Sequence, residues 1–418
     1  MSVPSPVIDA STLRALLRER SYVRMWVSRL LGNLATQVES IALAWQVYAV
    51  ARLTGTVAQG ALAVGMLGLA QFLPMFVLAL IAGETADRHD RRLIMIWCMA
   101  VEFASACIFA GLAHFGVTAL WPVYLLAIVF GAARAFYAPA SSALGPTLAP
   151  RQLLPRAIAM NSLSWQLASV VGPAIGGLLV AGGSALAFGA AAAAFLVSFA
   201  VLFGFASPPQ TGAQGASRMA LIREGLAYLW SNKFVLGAIS LDLFAVLLGG
   251  ATALLPVFAR DVLNVGSQGF GILRAAPAVG GVAMALLLGT RPIRRHSGIK
   301  MFLGVAGFGL ATVVFALSKS LWLSAVALAL LGGFDMISVF VRQSLVQIAT
   351  PNEMRGRVGA VSYLFIGASN ELGEFESGVV ARFLGPVGAA LFGGVGSLIV
   401  TGVWAGLFPD LRRADRLE

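Results

Sequence analysis

The stretch LGGFDMISVFVRQSLVQIATP (331–351) is an imperfect copy of FGAARAFYAPASSALGPTLAP (130–150), 201 residues earlier in the chain. The same offset aligns AVSYLFIGASNELGEFESGV (360–379) with AMNSLSWQLASVVGPAIGGL (159–178). Several aligned positions hold the same glycine or proline: Gly131 and Gly332, Pro150 and Pro351, Gly172 and Gly373, and Gly177 and Gly378. Because self-similarity at a fixed offset is typical of duplicated architectures, we expect two structurally equivalent halves.

The composition is that of a membrane protein. Of the 418 residues, 59% are hydrophobic and only 11% are charged, whereas soluble domains carry about 25% charged residues. A membrane-spanning helix needs about 20 mainly apolar residues. Twelve segments meet this requirement, at 24–50, 58–86, 93–113, 117–141, 158–181, 184–206, 234–259, 267–290, 299–317, 320–348, 358–384 and 386–407. The net charge of +11 does not indicate nucleic-acid binding, because the basic residues lie between these segments rather than on one polar domain.

The distribution of basic residues predicts the topology. Arginine and lysine are concentrated at the two termini and in alternate loops, and the positive-inside rule assigns that side to the cytoplasm. The longest polar stretch, 207–233, lies on the same side, and its Pro, Gly and Gln residues predict a flexible linker. We therefore predict an all-α polytopic membrane protein with twelve transmembrane helices. Its two six-helix bundles, at 1–206 and 234–418, are expected to be related by pseudo-two-fold symmetry.

Polar residues occupy equivalent positions in the two halves. Arg134 aligns with Asp335, and at a slightly different offset Asn33 aligns with Asp242. All four lie near the middle of their segments. Transporters built from repeats bind their substrate near mid-depth between the repeats, so we expect these side chains to face a shared cavity. The alternative is that each makes a structural hydrogen bond between helices.

Three glutamates interrupt the eleventh apolar segment, in the sequence SNELGEFESG (369–378). An ionised carboxylate at the bilayer centre costs about 2.5–3.5 kcal/mol, so these side chains need partners or a function. Glu371 and Glu374 share one helix face, whereas Glu376 points about 160° away from Glu374. Glu371 or Glu374 is the candidate proton carrier, because burial favours the protonated carboxylate and an approaching cation favours the ionised one.

Static salt bridges are the alternative explanation of these carboxylates. Arg274 and Arg382 are available partners for the glutamates of the eleventh segment. Glu39 in the first segment and Arg134 in the fourth form another candidate pair across helices. Glu102 in the third segment is expected to make a local structural contact.

The loop AGETADRHDRRLIMI (82–96) resembles the signature between the second and third helices of the major facilitator superfamily. The residues that fill the places of that signature are Gly83, Asp87, Arg88, Arg91 and Arg92. The resemblance implies a cytoplasmic latch. In it the carboxylate engages arginines and the positive end of a neighbouring helix, and the contact breaks when the halves rock.

A second motif, VVGPAIGG (170–177), resembles the core of the signature of the antiporter branch of this superfamily. The matching residues are Gly172, Pro173, Gly176 and Gly177. Small residues and proline allow close packing and a bend at an interface between the halves. A purely structural role of this motif is an equal alternative.

The layout of the whole chain is similar to the superfamily branch of bacterial enterobactin exporters and macrolide efflux pumps. The segments that carry this likeness are LIREGLAYLWSN (221–232), ALLPVFARDVL (253–263) and PNEMRGRVGAV (351–361). The resemblance implies a monomeric, proton-coupled exporter (antiporter) of a siderophore or amphipathic drug-like molecule, multi-pass in the bacterial inner membrane. Its partners would be the substrate, protons and the lipid bilayer. Proton-coupled import by the same fold is the alternative.

The sequence does not indicate an enzyme. Cys98 and Cys107 lie nine residues apart in one apolar segment, and His89, His114 and His296 lie at segment ends or in loops. No metal-ligand spacing, nucleophile elbow or phosphate-binding loop results. We therefore expect no catalytic activity, no cofactor, no metal and no nucleic-acid partner.

Overall fold

A computed structural model describes residues 15–205, 218–291, 293 and 295–415, and within these ranges the chain is helical without a strand. The N-terminal bundle contains α1 (Arg20–Thr54), α2 (Val57–Arg88), α3 (Arg91–Phe115), α4 (Trp121–Thr147), α5 (Leu154–Ala181) and α6 (Ser184–Leu202), with a 3-10 turn at Arg151–Leu153. The connecting helix is α7 (Arg218–Ser231). The C-terminal bundle contains α8 (Lys233–Leu248), α9 (Gly266–Thr290), α10 (Ser297–Leu317), α11 (Leu321–Ala349) and α12 (Asn352–Leu407), and the short α13 (Pro409–Arg413) follows.

The helices account for twelve membrane crossings. Ten described helical stretches are long and apolar enough to span a bilayer. The first of the twelve, α1, is 35 residues long and more polar than these ten. The last apolar stretch, Phe365–Leu407, has 43 residues and is broken at Gly385, where φ is +73°. Because glycine adopts this conformation without steric cost, α12 supplies two crossings. The chain is a multi-pass membrane protein, as its composition predicts.

The seventh crossing is discontinuous. After α8 ends at Leu248, the chain continues as a 3-10 turn (Ala251–Leu254), three α-helical residues (Leu255–Val257) and a π-helical turn (Phe258–Val262). A Cβ atom at Gly250 would lie 2.8 Å from Ser377 Oγ of α12, so glycine lets the broken backbone pack directly on that helix. Non-helical backbone at membrane depth is tolerated where protein buries it.

Corresponding helix pairs pack in the two bundles. In the first, α1 packs against α5 and α6, α2 against α4, and α3 against α4 and α6. In the second, α8 packs against α12, α9 against α11, and α10 against α11 and α12. Aligned glycines lie at corresponding crossings: a Cβ atom at Gly131 would overlap the backbone of Gln71, and one at Gly332 would overlap the backbone of Pro277. The duplication predicted from the sequence is present in the packing.

Two glycine crossings join the bundles. Where α2 meets α12, a Cβ atom on Gly378 would lie 2.8 Å from the Gly65 Cα. Where α5 meets α9, a Cβ atom on Gly271 would lie 2.8 Å from the Gly177 Cα. Both crossings lie in the helix parts nearer the membrane side opposite the chain termini, which we call the far side. Small residues allow helix backbones to approach closely, so the two bundles are closed together on that far side.

The connecting helix α7 is anchored to the C-terminal bundle. Arg357 Nη1 of α12 lies 2.7 Å from Glu224 Oε2, and the Tyr228 hydroxyl donates a hydrogen bond of 2.9 Å to the carbonyl oxygen of Ala349. The first part of the predicted linker, 207–217, lies outside the described residues. The bundle limits of 1–206 and 234–418 stay a prediction.

Candidate substrate and ion site

The first set of charged side chains lies where α9, α12 and the N-terminal bundle meet. Arg274 Nη2 of α9 is 3.9 Å from Glu374 Oε1 of α12, and both side chains are about 30% exposed (31% and 28%). A Cβ atom at Gly68 of α2 would lie 3.2 Å from Glu374 Oε2. Glu371 interacts electrostatically with Glu374, Arg274 and Arg134. Glu371, which belongs to the C-terminal bundle, therefore interacts electrostatically with one arginine from each bundle.

The second set lies inside the N-terminal bundle. The Glu39 and Glu102 side chains are 0% and 1% exposed, and Arg134 interacts electrostatically with both. The Arg134 guanidinium also lies over the Phe130 ring, 5.8 Å from its centroid. Neither carboxylate oxygen of Glu39 has a hydrogen-bond partner in the described part of the chain. Arg134 thus connects this set to Glu371, and Glu102 takes part in the same group of charges.

The third set lies inside the C-terminal bundle. Arg342 Nη2 of α11 is 3.1 Å from Asp242 Oδ2 of α8, with side chains only 4% and 8% exposed. Asp335 interacts electrostatically with both members of this pair. Asp242, Asp335 and Ser338 line a small cavity between α8, α10 and α11. Sequence comparison between the halves does not identify Arg342, which aligns with Ser141, but its position seven residues after Asp335 places both on one helix face.

The structure therefore distributes the predicted polar residues over three sets rather than one. Glu371 and Glu374 lie at the bundle interface, Glu39 and Arg134 in the first bundle, and Asp242 and Asp335 in the second. Asn33 is buried within the N-terminal bundle, and its Nδ2 atom has no hydrogen-bond partner among the described residues. Of the two partners expected for the interface glutamates, Arg274 pairs with Glu374, whereas Arg382 is exposed.

A cluster of polar contacts joins the bundles on the side away from the termini. Arg52 Nη2 at the end of α1 is 3.3 Å from Asp261 Oδ1 at the end of the seventh crossing. The Tyr48 hydroxyl donates a hydrogen bond to Asp261 Oδ2, and the Arg260 guanidinium lies 5.9 Å from the Tyr48 ring centroid. Asp261 is the only acidic residue in the loops predicted on this side, a signal that could have identified the contact. We call Tyr48, Arg52 and Asp261 the far-side clasp.

Several contacts of the loop between α2 and α3 lie within the N-terminal bundle. Arg91 Nη2 lies 4.0 Å from Asp87 Oδ1, and Arg91 Nη1 donates a hydrogen bond of 3.5 Å to the Ala143 carbonyl of α4. Arg92 Nε donates to the Leu202 carbonyl at 2.7 Å, and Arg88 pairs with Glu84 of its own helix at 2.6 Å. Gly83 before them is buried. The latch role of this loop stays a prediction.

The glycine motif of α5 faces two neighbours. Gly172 packs on Gln37 of α1, and a Cβ atom on Gly176 would lie 3.0 Å from Ile41 Cβ of the same helix. Gly177, one residue on, meets α9 of the other bundle. Pro173 lies inside this helix without ending it. The motif therefore allows close packing both inside the N-terminal bundle and between the bundles.

Exposed polar side chains occur at membrane depth in both bundles. Gln166 of α5, Gln343 of α11 and Asn370 of α12 are all exposed. Because an amide facing hydrocarbon without a partner costs several kcal/mol, we infer that these side chains face water between the bundles. Gln343 lies in the part of α11 nearer the termini, opposite the far-side clasp, and Gln166 lies close to the middle of α5.

Comparison with known proteins gives one family. A family model described as a transmembrane secretion effector of the major facilitator superfamily matches residues 10–418. The enterobactin exporter EntS of Shigella boydii serotype 18 (strain CDC 3083-94 / BS512) is 28% identical over 343 residues, covering 81% of this chain and 82% of the relative. EntS of Escherichia coli O157:H7 (strain EC4115 / EHEC) has the same identity and coverage.

Solved transporter structures share the fold. The POT family transporter PepTSo superposes with a TM-score of 0.73 at 13% identity, over 95% of this chain and 99% of its own. A bacterial homologue of the lysosomal transporter Spinster, in an inward-facing and unoccupied conformation, gives a TM-score of 0.68 at 14% identity over 94% and 96%. A bacterial homologue of the iron transporter ferroportin, in an inward-facing state, gives 0.67 at 16% identity over 93% and 99%. At these identities the likeness shows the fold alone.

Proposed function

Because the chain belongs to the transmembrane secretion effector family of the major facilitator superfamily, we propose that it is a proton-coupled exporter that exchanges protons for a small molecule by alternating access. The residues proposed to bind substrate or protons are Asn33, Glu39, Arg134, Asp242, Asp335, Glu371 and Glu374. In the proposed topology both termini are cytoplasmic, the membrane is the bacterial inner membrane, and the transporter works as a monomer.

The observation that carries this proposal is that Glu371 interacts electrostatically with Arg134 of the N-terminal bundle and with Arg274 of the C-terminal bundle. Rocking of one bundle against the other changes the distance between Glu371 and Arg134, since the two residues lie on different bundles. A nearby guanidinium favours the ionised carboxylate, and its withdrawal favours the protonated one. Proton binding at Glu371 is thereby linked to the conformation of the transporter, which is what exchange by alternating access requires.

The charges at the interface also support a class of substrate. Arg134 and Arg274 provide cationic groups near mid-depth, and Arg134 stacks on an aromatic ring. An anionic, aromatic molecule bound to Arg134 would have to displace the glutamates with which this arginine interacts, and the alternative is that Arg134 only pairs with Glu39. The relatives named as enterobactin exporters support a catecholate siderophore, and an amphipathic drug-like molecule has the same requirements.

The test is transport in inverted membrane vesicles from cells that express the chain. With an acidified vesicle interior, we expect accumulation of enterobactin or a macrolide, and a protonophore should abolish it. Vesicles with the double variant Glu371→Gln/Glu374→Gln serve as the control. Uptake that occurs only in right-side-out vesicles with an acidic exterior would instead establish proton-coupled import.

A further inference from the structure

The segment after α12 is held against the loop between α9 and α10. The backbone N–H of Gly298 donates a hydrogen bond of 2.9 Å to the Ala414 carbonyl oxygen, and the His296 N–H donates one of 2.9 Å to Asp415 Oδ1. A Cβ atom at Gly298 would overlap the Leu411 carbonyl oxygen, so glycine lets the two segments lie this close. The C-terminal segment is therefore fixed to this loop, on the membrane side where the chain termini lie.

These contacts gather cationic side chains from the two segments. Five of them are exposed or partly exposed: Arg291, Arg295, Lys300, Arg412 and Arg413. We call these five residues the tail–loop site. In the part of the chain that the structure describes, none of the five forms an ion pair with an acidic side chain. The acidic residues in the same two segments are Asp410 and Asp415, so positive charge is in excess.

This excess of positive charge favours an anionic ligand. The positive-inside rule explains why arginines occur on this side of the membrane, but it does not explain why two distant segments bring theirs together. Like charges on segments in backbone contact repel each other, because the screening length is about 10 Å at 0.1 M salt. A bound anion removes this repulsion, and arginine pairs with phosphate through two parallel hydrogen bonds. The tail–loop site therefore suits a phosphate group.

An apolar, lipid-facing surface adjoins the tail–loop site. Ile299 lies directly before Lys300 in α10, and Leu303 follows one turn later; both are exposed. Leu407, the last residue of α12, is also exposed, and α10 packs on α12. Exposed apolar side chains beside exposed cations match the boundary between acyl chains and headgroups, where arginine and lysine bind anionic lipids. The surface thus fits a ligand that carries both a phosphate and acyl chains.

We propose that the tail–loop site binds the headgroup of an anionic phospholipid of the cytoplasmic leaflet, with the acyl chains against Ile299, Leu303 and Leu407. The lipid phosphate neutralises part of the excess charge, and the bound lipid attaches the C-terminal segment to the bilayer surface. This inference rests on the proposed topology, in which the chain termini are cytoplasmic. It needs neither the proposed substrate nor proton coupling.

The test is lipid binding to the purified full-length protein, measured by native mass spectrometry in a neutral detergent. The protein is titrated with phosphatidylglycerol or with phosphatidylcholine of the same acyl chains, and we expect one phosphatidylglycerol to bind in preference. Arg412→Gln/Arg413→Gln should weaken its binding by about 25-fold, since each basic residue near an anionic surface contributes about fivefold. Arg18→Gln/Arg20→Gln is the matched control: it removes two exposed arginines on the same membrane side and should leave the affinity unchanged.

A second variant tests the arrangement of the charges rather than their number. Gly298→Ala places a Cβ atom against the Leu411 carbonyl oxygen, so it should displace the C-terminal segment while every charge is kept. We expect the phosphatidylglycerol affinity to fall by about fivefold or more. Gly289→Ala is the matched control, because nothing lies within 4 Å of a Cβ atom built there. Size-exclusion elution and helical circular dichroism verify that each variant is folded.

Three outcomes would overturn this inference. The first is equal binding of phosphatidylglycerol and phosphatidylcholine, or an unchanged affinity in Arg412→Gln/Arg413→Gln. The second is an equal loss in Arg18→Gln/Arg20→Gln, since lipid would then bind to basic residues on this side without a defined site. The third is binding of glycerol phosphate as tightly as the lipid, which would assign the site to a free phosphate compound. All these measurements lack substrate and gradient, so their failure is distinct from a failure of the proposed export.

Discussion

Glu371 and Glu374 lie on one face of α12, next to the closest approach of the two bundles. Glu374 is paired with Arg274 of its own bundle, whereas Glu371 also experiences Arg134 across the interface. Glu376, two residues beyond Glu374, instead accepts a hydrogen bond of 3.4 Å from Ser377. The three glutamates therefore differ in their surroundings, and the first is the one whose charge environment depends on both bundles.

Neutralising Glu371 should uncouple transport. We expect Glu371→Gln to lower pH-gradient-driven transport by about tenfold or more, since a glutamine cannot exchange a proton, and tenfold corresponds to only about 1.4 kcal/mol. The measurement is initial uptake into inverted vesicles at several imposed gradients. Glu376→Gln is the control and should retain the gradient dependence. Unchanged coupling in Glu371→Gln would assign the proton to another carboxylate.

The buried pair of Asp242 and Arg342 should contribute to stability. Arg342→Met is expected to lower the free energy of unfolding by about 3–5 kcal/mol, because it leaves Asp242 buried without its counter-charge. The double variant Asp242→Asn/Arg342→Met should recover part of this loss. Denaturant unfolding in micelles measures both.

Arg382→Met is the reference for this stability measurement. Its arginine is exposed, so a change within about 0.5 kcal/mol is expected. A similar small change in Arg342→Met would show that the pair adds nothing to folding.

Glycine crossings decide how closely helices of different bundles approach. Gly177 on α5 lies directly against Gly271 on α9, and Gly378 on α12 lies against Gly65 on α2. Gly177 and Gly378 correspond in the duplicated sequence at the offset of 201 residues, whereas Gly65 and Gly271 do not. At each crossing the two helix backbones pack directly against each other, so the bundles approach closely without interlocking side chains.

A side chain at one crossing should separate the bundles on the far side. Gly177→Val would place a branched side chain against the Gly271 backbone, and overpacking of this kind costs about 1–3 kcal/mol. We expect a population shift towards states that are open on that side. Spin labels are placed at Leu53 and Lys319, both exposed and one on each bundle. Cys107, an exposed free cysteine, is first replaced by alanine. The distance between the two labels reports the opening of the far side.

The matched variant for this distance measurement is Gly189→Val. Its glycine lies on α6, and nothing lies within 4 Å of a Cβ atom built there. An unchanged label distance in Gly177→Val would mean that this crossing does not limit opening.

The two bundles hold together at their far ends. The far-side clasp of Tyr48, Arg52 and Asp261 connects α1 to the seventh crossing. Trp45 stacks on Phe270 beside it, with ring centroids 5.7 Å apart. Alternating access requires all these contacts to break together, so the clasp biases the equilibrium between the two global states.

Removing the charge of Asp261 should weaken this closure. Asp261→Asn loses the ion pair with Arg52, a partly exposed contact whose contribution is about 0.2–1 kcal/mol. A shift of that size changes the ratio of closed to open molecules by about 1.4-fold to fivefold. The same pair of spin labels measures it.

Glu84→Gln is the control for the clasp. It removes an exposed ion pair with Arg88 at the end of α2 that is nearer the chain termini. Its label distances should match those of the original chain. Equal distributions in Asp261→Asn and in the original chain would contradict a role of the clasp in closure.

The sequence by itself determined the membrane class, the twelve crossings and the duplication. The first two follow from the length of the apolar segments, which every membrane-spanning helix requires, and the duplication follows from glycines repeated at a fixed offset. It also marked most of the charged residues, since carboxylates in apolar helices are conspicuous. Their grouping was decided only by the tertiary structure. Arg342 pairs with Asp242, and Arg134 interacts electrostatically with both Glu102 and Glu371, because helix rotation and crossing bring together residues that are far apart in the chain. The rotation of each helix about its axis cannot be read from a single sequence. The sequence therefore predicted one shared pocket, whereas the structure has three sets of charges.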